Sequence, residues 1–361
     1  MMDYRLAIGT YTEKAPHVDG HAEGIYLCRF DSGSGKLETT EMIKGIANPS
    51  YVIADASGER LYSGSEHRGD SAGGQVAAFA IAAGVTRLGP PRSSRGSSPC
   101  HLTLAAAGRW LLVANYNSGT IAVLPVRPDG HLADAVEVIT WQGSGPDPAR
   151  QRAPHAHQIL AGPDGRIYAA DLGTDRLWIY ELDGQTGRLT PASPQPWLSL
   201  PPGCGPRHLT FGRQGGDIYV VTEMGNTVVH FTREADGRYR QSQVLSSLPP
   251  GFTGSSSGAA IRLAPSGRHL YASNRWHDSI ACFAVDAATG AIESRGHFST
   301  RGRTPRDFAL TPDGDFLLSA NQDSSTVTVF RVEKETGALI PVGEPAPFAS
   351  PVCLAWIPPA R

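Results

Sequence analysis

The hydrophobic and polar positions of this chain fall into a phrase that recurs six times. Each copy reads turn, Gly, apolar pair, small residues, polar residue. The copies are LYSGSE after Gly58, LLVANY after Gly108, IYAADL after Gly165, IYVVTE after Gly216, LYASNR after Gly267 and LLSANQ after Gly314. The glycines stand 47 to 57 residues apart. A repeat of roughly 40–50 residues built from short strands predicts a β-propeller, whose central channel carries function.

Within each unit the pattern predicts four strands. A short run opens after Pro or Gly, as in Pro49-Ser50-Tyr51-Val52-Ile53, Pro99-Cys100-His101-Leu102 and Pro206-Arg207-His208-Leu209. Pro suits the first residue of a strand, where it removes no ladder donor. A D-G or S-G turn follows, then the apolar second strand. Alternating third strands come next (Thr120 to Leu124, Leu177 to Tyr180, Thr326 to Phe330), and T-G-x-L phrases at Thr186, Thr289 and Thr336 open the outer strand. The two chain ends supply what a seventh unit needs. Residues 350–357 read as a first strand, and the segments from Leu6, Gly24 and Lys36 read as the other three. The expectation is an all-β, seven-bladed propeller of four-stranded antiparallel blades, one domain over residues 1–361, its ring closed by pairing the two termini. An unpaired seam would expose strand edges.

Composition narrows the partners. With 32 basic and 34 acidic residues the net charge is −2, against a broad nucleic-acid face. No segment approaches the ~20 apolar residues of a membrane helix, and the N-terminus lacks the apolar run of a signal peptide. The five Cys (28, 100, 204, 282, 353) are odd in number and scattered, which predicts reduced thiols and a cytoplasmic location. Three insertions, at residues 13–23, 141–152 and 248–257, would form a rim at one channel mouth.

The repeat also serves to align the blades. The position after the strand-opening Pro reads Ser50, Cys100, His157, Arg207, Ala259, Arg306, Val352. The far ends of the second strands read Tyr11, Glu66, Tyr116, Leu172, Glu223, Arg275, Gln322. Ends of adjacent antiparallel strands meet, so both columns should ring one mouth. Blades four to seven depart from the small or neutral type with His157, Arg207, Glu223, Arg275 and Arg306. Arg binds carboxylate or phosphate bidentately, and His works as a base near neutral pH. A small anionic molecule is the expected ligand. His155 and His157 could share a metal with the His17–His21 loop, but no Cys or carboxylate joins them at a recognised spacing, so no metal or cofactor is expected. His101 and His208 follow the first column by one and should turn away from it to pack.

The phrases Pro154-His155-Ala156-His157, Gly205-Pro206-Arg207-His208, Glu223 in VVTEMGN and Ala272-Ser273-Asn274-Arg275 resemble the seven-bladed propeller lactonases. That family includes a bacterial 6-phosphogluconolactonase and the fungal carboxy-muconate cyclising enzyme. The likeness runs from Ile8 to about Trp356. It implies catalytic roles for His157, Arg207, Glu223 and Arg275, without choosing between substrates. Hydrolysis of a sugar lactone is the expected activity, foremost of 6-phospho-D-glucono-1,5-lactone in the pentose phosphate pathway, because the added charge of Arg306 suits a phosphate dianion. The columns add Arg306, Tyr11 and Glu66 as substrate-binding candidates, and His155, two residues before His157, joins them. The alternatives are a muconate-type lactonising enzyme, and a non-enzymatic propeller that binds a protein partner on its faces.

Overall fold

The computed structural model describes residues 3–15, 18–66, 73–212 and 215–359. The strands assemble into seven antiparallel sheets arranged as the blades of a propeller, with a small two-stranded sheet of Lys14–Ala15 and Val18–Asp19 besides. Blade 1 is the composite one. Its inner strand is Pro351–Ile357, followed outward by Asp3–Thr10, Gly24–Asp31 and Lys36–Lys44. The termini thus close the ring, with Ala7 opposite Ala355 and Arg5 opposite Ile357. The first strands of blades 2 to 7 are Tyr51–Ala54, Pro99–Ala105, Ala156–Ala161, Pro206–Phe211, Ser257–Leu263 and Pro305–Leu310.

In blades 2, 4 and 7 the outer strand comes in two pieces, such as Leu189–Pro191 and Trp197–Ser199 in blade 4. The breaks fall at prolines (Pro90 and Pro91, Pro191 and Pro194, Pro341). Proline has no N–H for the ladder, and it interrupts the sheet at the outer edge, where least is lost.

The core lies between neighbouring blades. Leu6, Phe30, Phe316, Leu318 and Leu354 pack across the junction of blades 7 and 1, so the closing strand shares a core with both. Buried tyrosines on the second strands add a repeated lock. The hydroxyls of Tyr219 and Tyr271 donate to the carbonyls of Gly290 and Gly337 at 2.7 and 2.9 Å, each in the outer turn of the next blade. Burying a phenol needs such an acceptor.

One irregularity recurs and positions the site. Six first strands carry a β-bulge near their start, and the extra residue is Cys100, His157, Arg207, Arg306 or Val352, with Ala259 and Ala260 together in blade 6. A bulge bends the strand and re-aims its side chain. Apart from Ser50 in blade 2, whose first strand has no bulge, every first-column residue of the sequence alignment therefore lies in a bulge. A repeated bond fixes the second column against it. The backbone N–H of Tyr11, Glu66, Tyr116, Leu172, Glu223 and Gln322 each donates to the carbonyl two residues before the first-column residue of its own blade.

Candidate active site

The two columns meet around a cavity of about 340 Å3 at one channel mouth, lined by residues that include Glu66, Tyr116, Arg150, His157, Glu223 and Arg275. At its centre stands the Glu223 carboxylate, 5% exposed. Oε2 accepts from Arg207 Nε at 3.2 Å and pairs with Arg275 Nη2 at 3.0 Å. Oε1 accepts from Arg150 Nη2 at 2.5 Å. Burial alone would raise this carboxyl, but Arg275, His157, Arg207 and Arg150 outweigh burial and hold it well below the usual carboxylate range.

The guanidiniums are themselves fixed. Arg207 Nη1 donates to Ala259 O at 2.7 Å, and Arg275 Nη2 to Ser257 Oγ at 2.7 Å and Gly258 O at 3.1 Å. Gly258 is required by close approach, since a Cβ there would lie 2.4 Å from Thr222 O of blade 5. Burial, with Arg275 and Arg306 nearby, pushes Arg207 down to about 9, so it stays cationic at neutral pH.

His157 lies beside this cluster, its Nε2 3.7 Å from Glu223 Oε2 and its ring edge-on to Tyr116 at 5.3 Å. Burial, then the charge of Arg207, lowers its pKa well below the ordinary histidine value, so the imidazole is neutral. Its Nδ1 is buried with no hydrogen-bond partner among the described residues.

Across the cavity, Arg306 Nη2 donates to Tyr11 Oη at 3.0 Å, and Tyr11 Oη donates to Glu66 Oε2 at 2.8 Å. Arg306 makes no ion pair with a carboxylate among the described residues. Four guanidiniums (Arg150, Arg207, Arg275, Arg306) and four carboxylates (Glu66, Glu223, Asp307, Asp323) line this cavity and the small one beneath it, so their formal charges balance.

The predicted residues thus gather in two groups, His157, Arg207, Glu223 and Arg275 on one side and Tyr11, Glu66 and Arg306 on the other. His155 stands outside the cavity lining. Its ring stacks on Tyr116 at 4.6 Å and its Nδ1 lies 3.0 Å from Tyr116 O. His21 bonds to Asp19 O and reaches Ser325 and Ser350, away from His155 and His157, while His17 lies outside the described residues. No group of three His, Cys, Asp or Glu side chains suited to a metal occurs among the described residues.

One expectation needs correction. His101 and His208 do not turn away from the first column; they form a second layer in the channel beneath it. Their rings lie 5.4 Å apart although their blades are not neighbours, and His208 is equally close to His157. The bulge is the cause, since an extra residue breaks the two-residue alternation and sends consecutive side chains inward. The expectation that they pack was sound, as both are buried.

Sequence reasoning missed Arg150. It comes from the 141–152 insertion, which is secured by Gln151 bonding to Leu172 O and Asp175. The insertion was legible as rim, but no repeat position marks which of its residues reaches inward. Tyr116 stood in the second column and could have been chosen; its hydroxyl accepts from Arg150 at 3.1 Å. At the opposite mouth a wider depression of about 1090 Å3 is lined by hairpin turns and carries neither His nor Glu among the described residues.

The closed seven-bladed ring is the fold of the propeller lactonases, and the chain belongs to that family. The family described as "Lactonase, 7-bladed beta-propeller" matches residues 5–356. A Bacillus subtilis protein named 6-phosphogluconolactonase is 36% identical over 316 residues, 86% of each chain. One of the same name from Formosa agariphila is 29% identical over 315 residues, 85% of this chain and 86% of its own. The solved structure of the Pseudomonas aeruginosa periplasmic gluconolactonase is similar at a TM-score of 0.90 and 33% identity, covering 99% of each chain. Among the described residues no helix is long and apolar enough to cross a membrane.

Proposed function

We propose that the chain hydrolyses 6-phospho-D-glucono-1,5-lactone to 6-phosphogluconate. One observation carries the reading: a neutral imidazole sits against a fixed cluster of guanidiniums, while a further guanidinium, Arg306, has no carboxylate partner among the described residues. The first group suits acyl chemistry and Arg306 suits a phosphate.

In this mechanism water attacks the lactone carbonyl carbon as His157 Nε2 takes its proton. Glu223 is the weaker candidate for base, because both its oxygens are occupied by guanidiniums and its pKa is depressed. Its role is to hold Arg207 and Arg275 in place and to face the imidazolium that forms. Arg207 and Arg275 stabilise the oxyanion, an interaction worth about 3 kcal/mol of barrier when one donor is removed from such a site. The tetrahedral intermediate collapses by breaking the bond from C1 to the ring oxygen. The imidazolium returns its proton to that oxygen, leaving a hydroxyl and a carboxylic acid, which ionises by releasing its remaining proton to solvent.

The phosphorylated substrate places the enzyme in the pentose phosphate pathway. Five free, buried thiols support a cytoplasmic location as part of the same proposal. The test is a coupled assay of purified protein on phosphogluconolactone, with unphosphorylated gluconolactone and carboxymuconolactone in parallel. Turnover fastest on phosphogluconolactone is expected; preference for carboxymuconolactone would move the assignment to the lactonising branch.

A further inference from the structure

Trp276 follows Arg275 directly, at the lip of the cavity, and it breaks two local rules at once. Its side chain is left 58% exposed, the most exposed large hydrophobic residue among those described. Its backbone sits at φ 69°, a region that bulky L-residues rarely enter. The exposed indole adds nothing to the buried core. Where a sequence departs from local preference with no structural return, a functional site is the expected reason.

The surrounding bonds hold this conformation in place. The Trp276 N–H donates to Asp278 Oδ1 at 3.1 Å, and the same oxygen accepts from Thr304 N of blade 7 at 2.7 Å. The turn is therefore tied to the neighbouring blade rather than left as a free loop tip. The Arg275 guanidinium lies 5.9 Å from the indole centroid, within cation–π range. The indole thus borders the same cavity as Arg275, Ser257 and Thr304. The cavity's other aromatic lining residue, Tyr116, already has His155 on its face and His157 at its edge.

We infer that Trp276 is a substrate-binding residue whose indole stacks on the apolar C–H face of the sugar-lactone ring. This rests on the lactonase reading above and adds the element that a polar, charge-rich cavity lacks. A pyranose ring presents hydroxyls at its rim and C–H bonds on its faces. Charged groups orient the carbonyl and phosphate, but a flat, rigidly held apolar surface is what reads the ring itself. The contact is made equally in ground state and transition state, so it should act on KM.

Trp276→Gly and Trp276→Phe separate this role from a structural one. In Trp276→Gly, KM for phosphogluconolactone should rise about tenfold, the factor that roughly 1.4 kcal/mol of lost contact produces, with kcat little changed. Its thermal midpoint should hold or rise, because glycine suits the positive φ. Trp276→Phe should keep most of the affinity. A second readout needs binding alone: 6-phosphogluconate should change tryptophan fluorescence in the wild type and bind more weakly to Trp276→Gly, followed by calorimetry. Unchanged KM and unchanged 6-phosphogluconate affinity in Trp276→Gly overturn the inference, as does a lowered thermal midpoint with KM restored on cooling. Absence of wild-type turnover on phosphogluconolactone overturns the parent reading instead, and the binding arm then judges the indole by itself.

Discussion

Arg306 donates to the phenol oxygen of Tyr11 at 3.0 Å, although 295 positions of chain separate them. Arg306 belongs to blade 7 and Tyr11 to the composite blade 1, so the bond crosses the seam where the ring closes. Tyr11 then hands on to Glu66 in blade 2. Half of the site exists only when the two termini have paired.

Deleting residues 350–361 should therefore abolish both fold and activity. It removes the inner strand of blade 1, bares the edge of Asp3–Thr10 and takes Leu354 out of the core between blades 7 and 1. Circular dichroism should show loss of the cooperative melt. A truncated chain melting within about 2 °C of the full one would deny closure any structural part.

Arg306→Ala should discriminate between substrates. KM for the phosphorylated lactone is expected to rise by about tenfold or more, the loss of one charge-assisted contact, while unphosphorylated gluconolactone changes little. Equal losses on both would move Arg306 from phosphate binding to the reacting carbonyl.

Glu223→Gln should cost both turnover and stability. Arg207 and Arg275 would lose the charge that faces them, and removing one partner of a buried ion pair costs about 3–5 kcal/mol. Thermal melts and kcat should fall together. Arg275→Ala, whose carboxylate partner still has Arg207 and Arg150, should lose activity with its midpoint nearly kept.

Three buried imidazoles make the fold acid-sensitive. His101, His157 and His208 all have folded pKa values well below the ordinary 6.5, chiefly through burial. Below about pH 6.5 the unfolded chain binds protons that the folded chain refuses, so stability falls with pH, by up to about 1.4 kcal/mol per unit for each group. Glu223 has the opposite charge type but the same direction. Its stabilisation is present above the ordinary carboxylate range and is lost only as pH falls toward its own depressed value. Denaturant melts from pH 8 to 5 should show the first decline already below pH 6.5, and His208→Gln should shrink it. Because His157 is neutral, kcat should be flat from pH 7 to 8, with any acid limb below 6.5.

The repeat made the blades and most of the site legible, because a period projects onto a ring. His157, Arg207, Glu223 and Arg275 stand out as departures from equivalent positions in other blades, and the fold brings them together around one carboxylate. Arg150 was not legible, because an insertion of irregular length has no counterpart to compare. His101 and His208 were misplaced for a different reason. Strict alternation was assumed through a stretch where the first strands of blades 3 and 5 carry an extra residue, and sequence alone does not announce a bulge.

That extra residue has a further consequence. Each bulge residue sits outside the ladder that holds its blade together, so its identity is uncoupled from the pairing around it. Ala259 and Arg207 occupy equivalent places in neighbouring blades, one chemically silent and one charged. The channel mouth behaves like a ring of sockets on a common frame, each able to be refitted alone. A lactonase of this build can change what it accepts by exchanging occupants one at a time, while the ring that carries them stays the same.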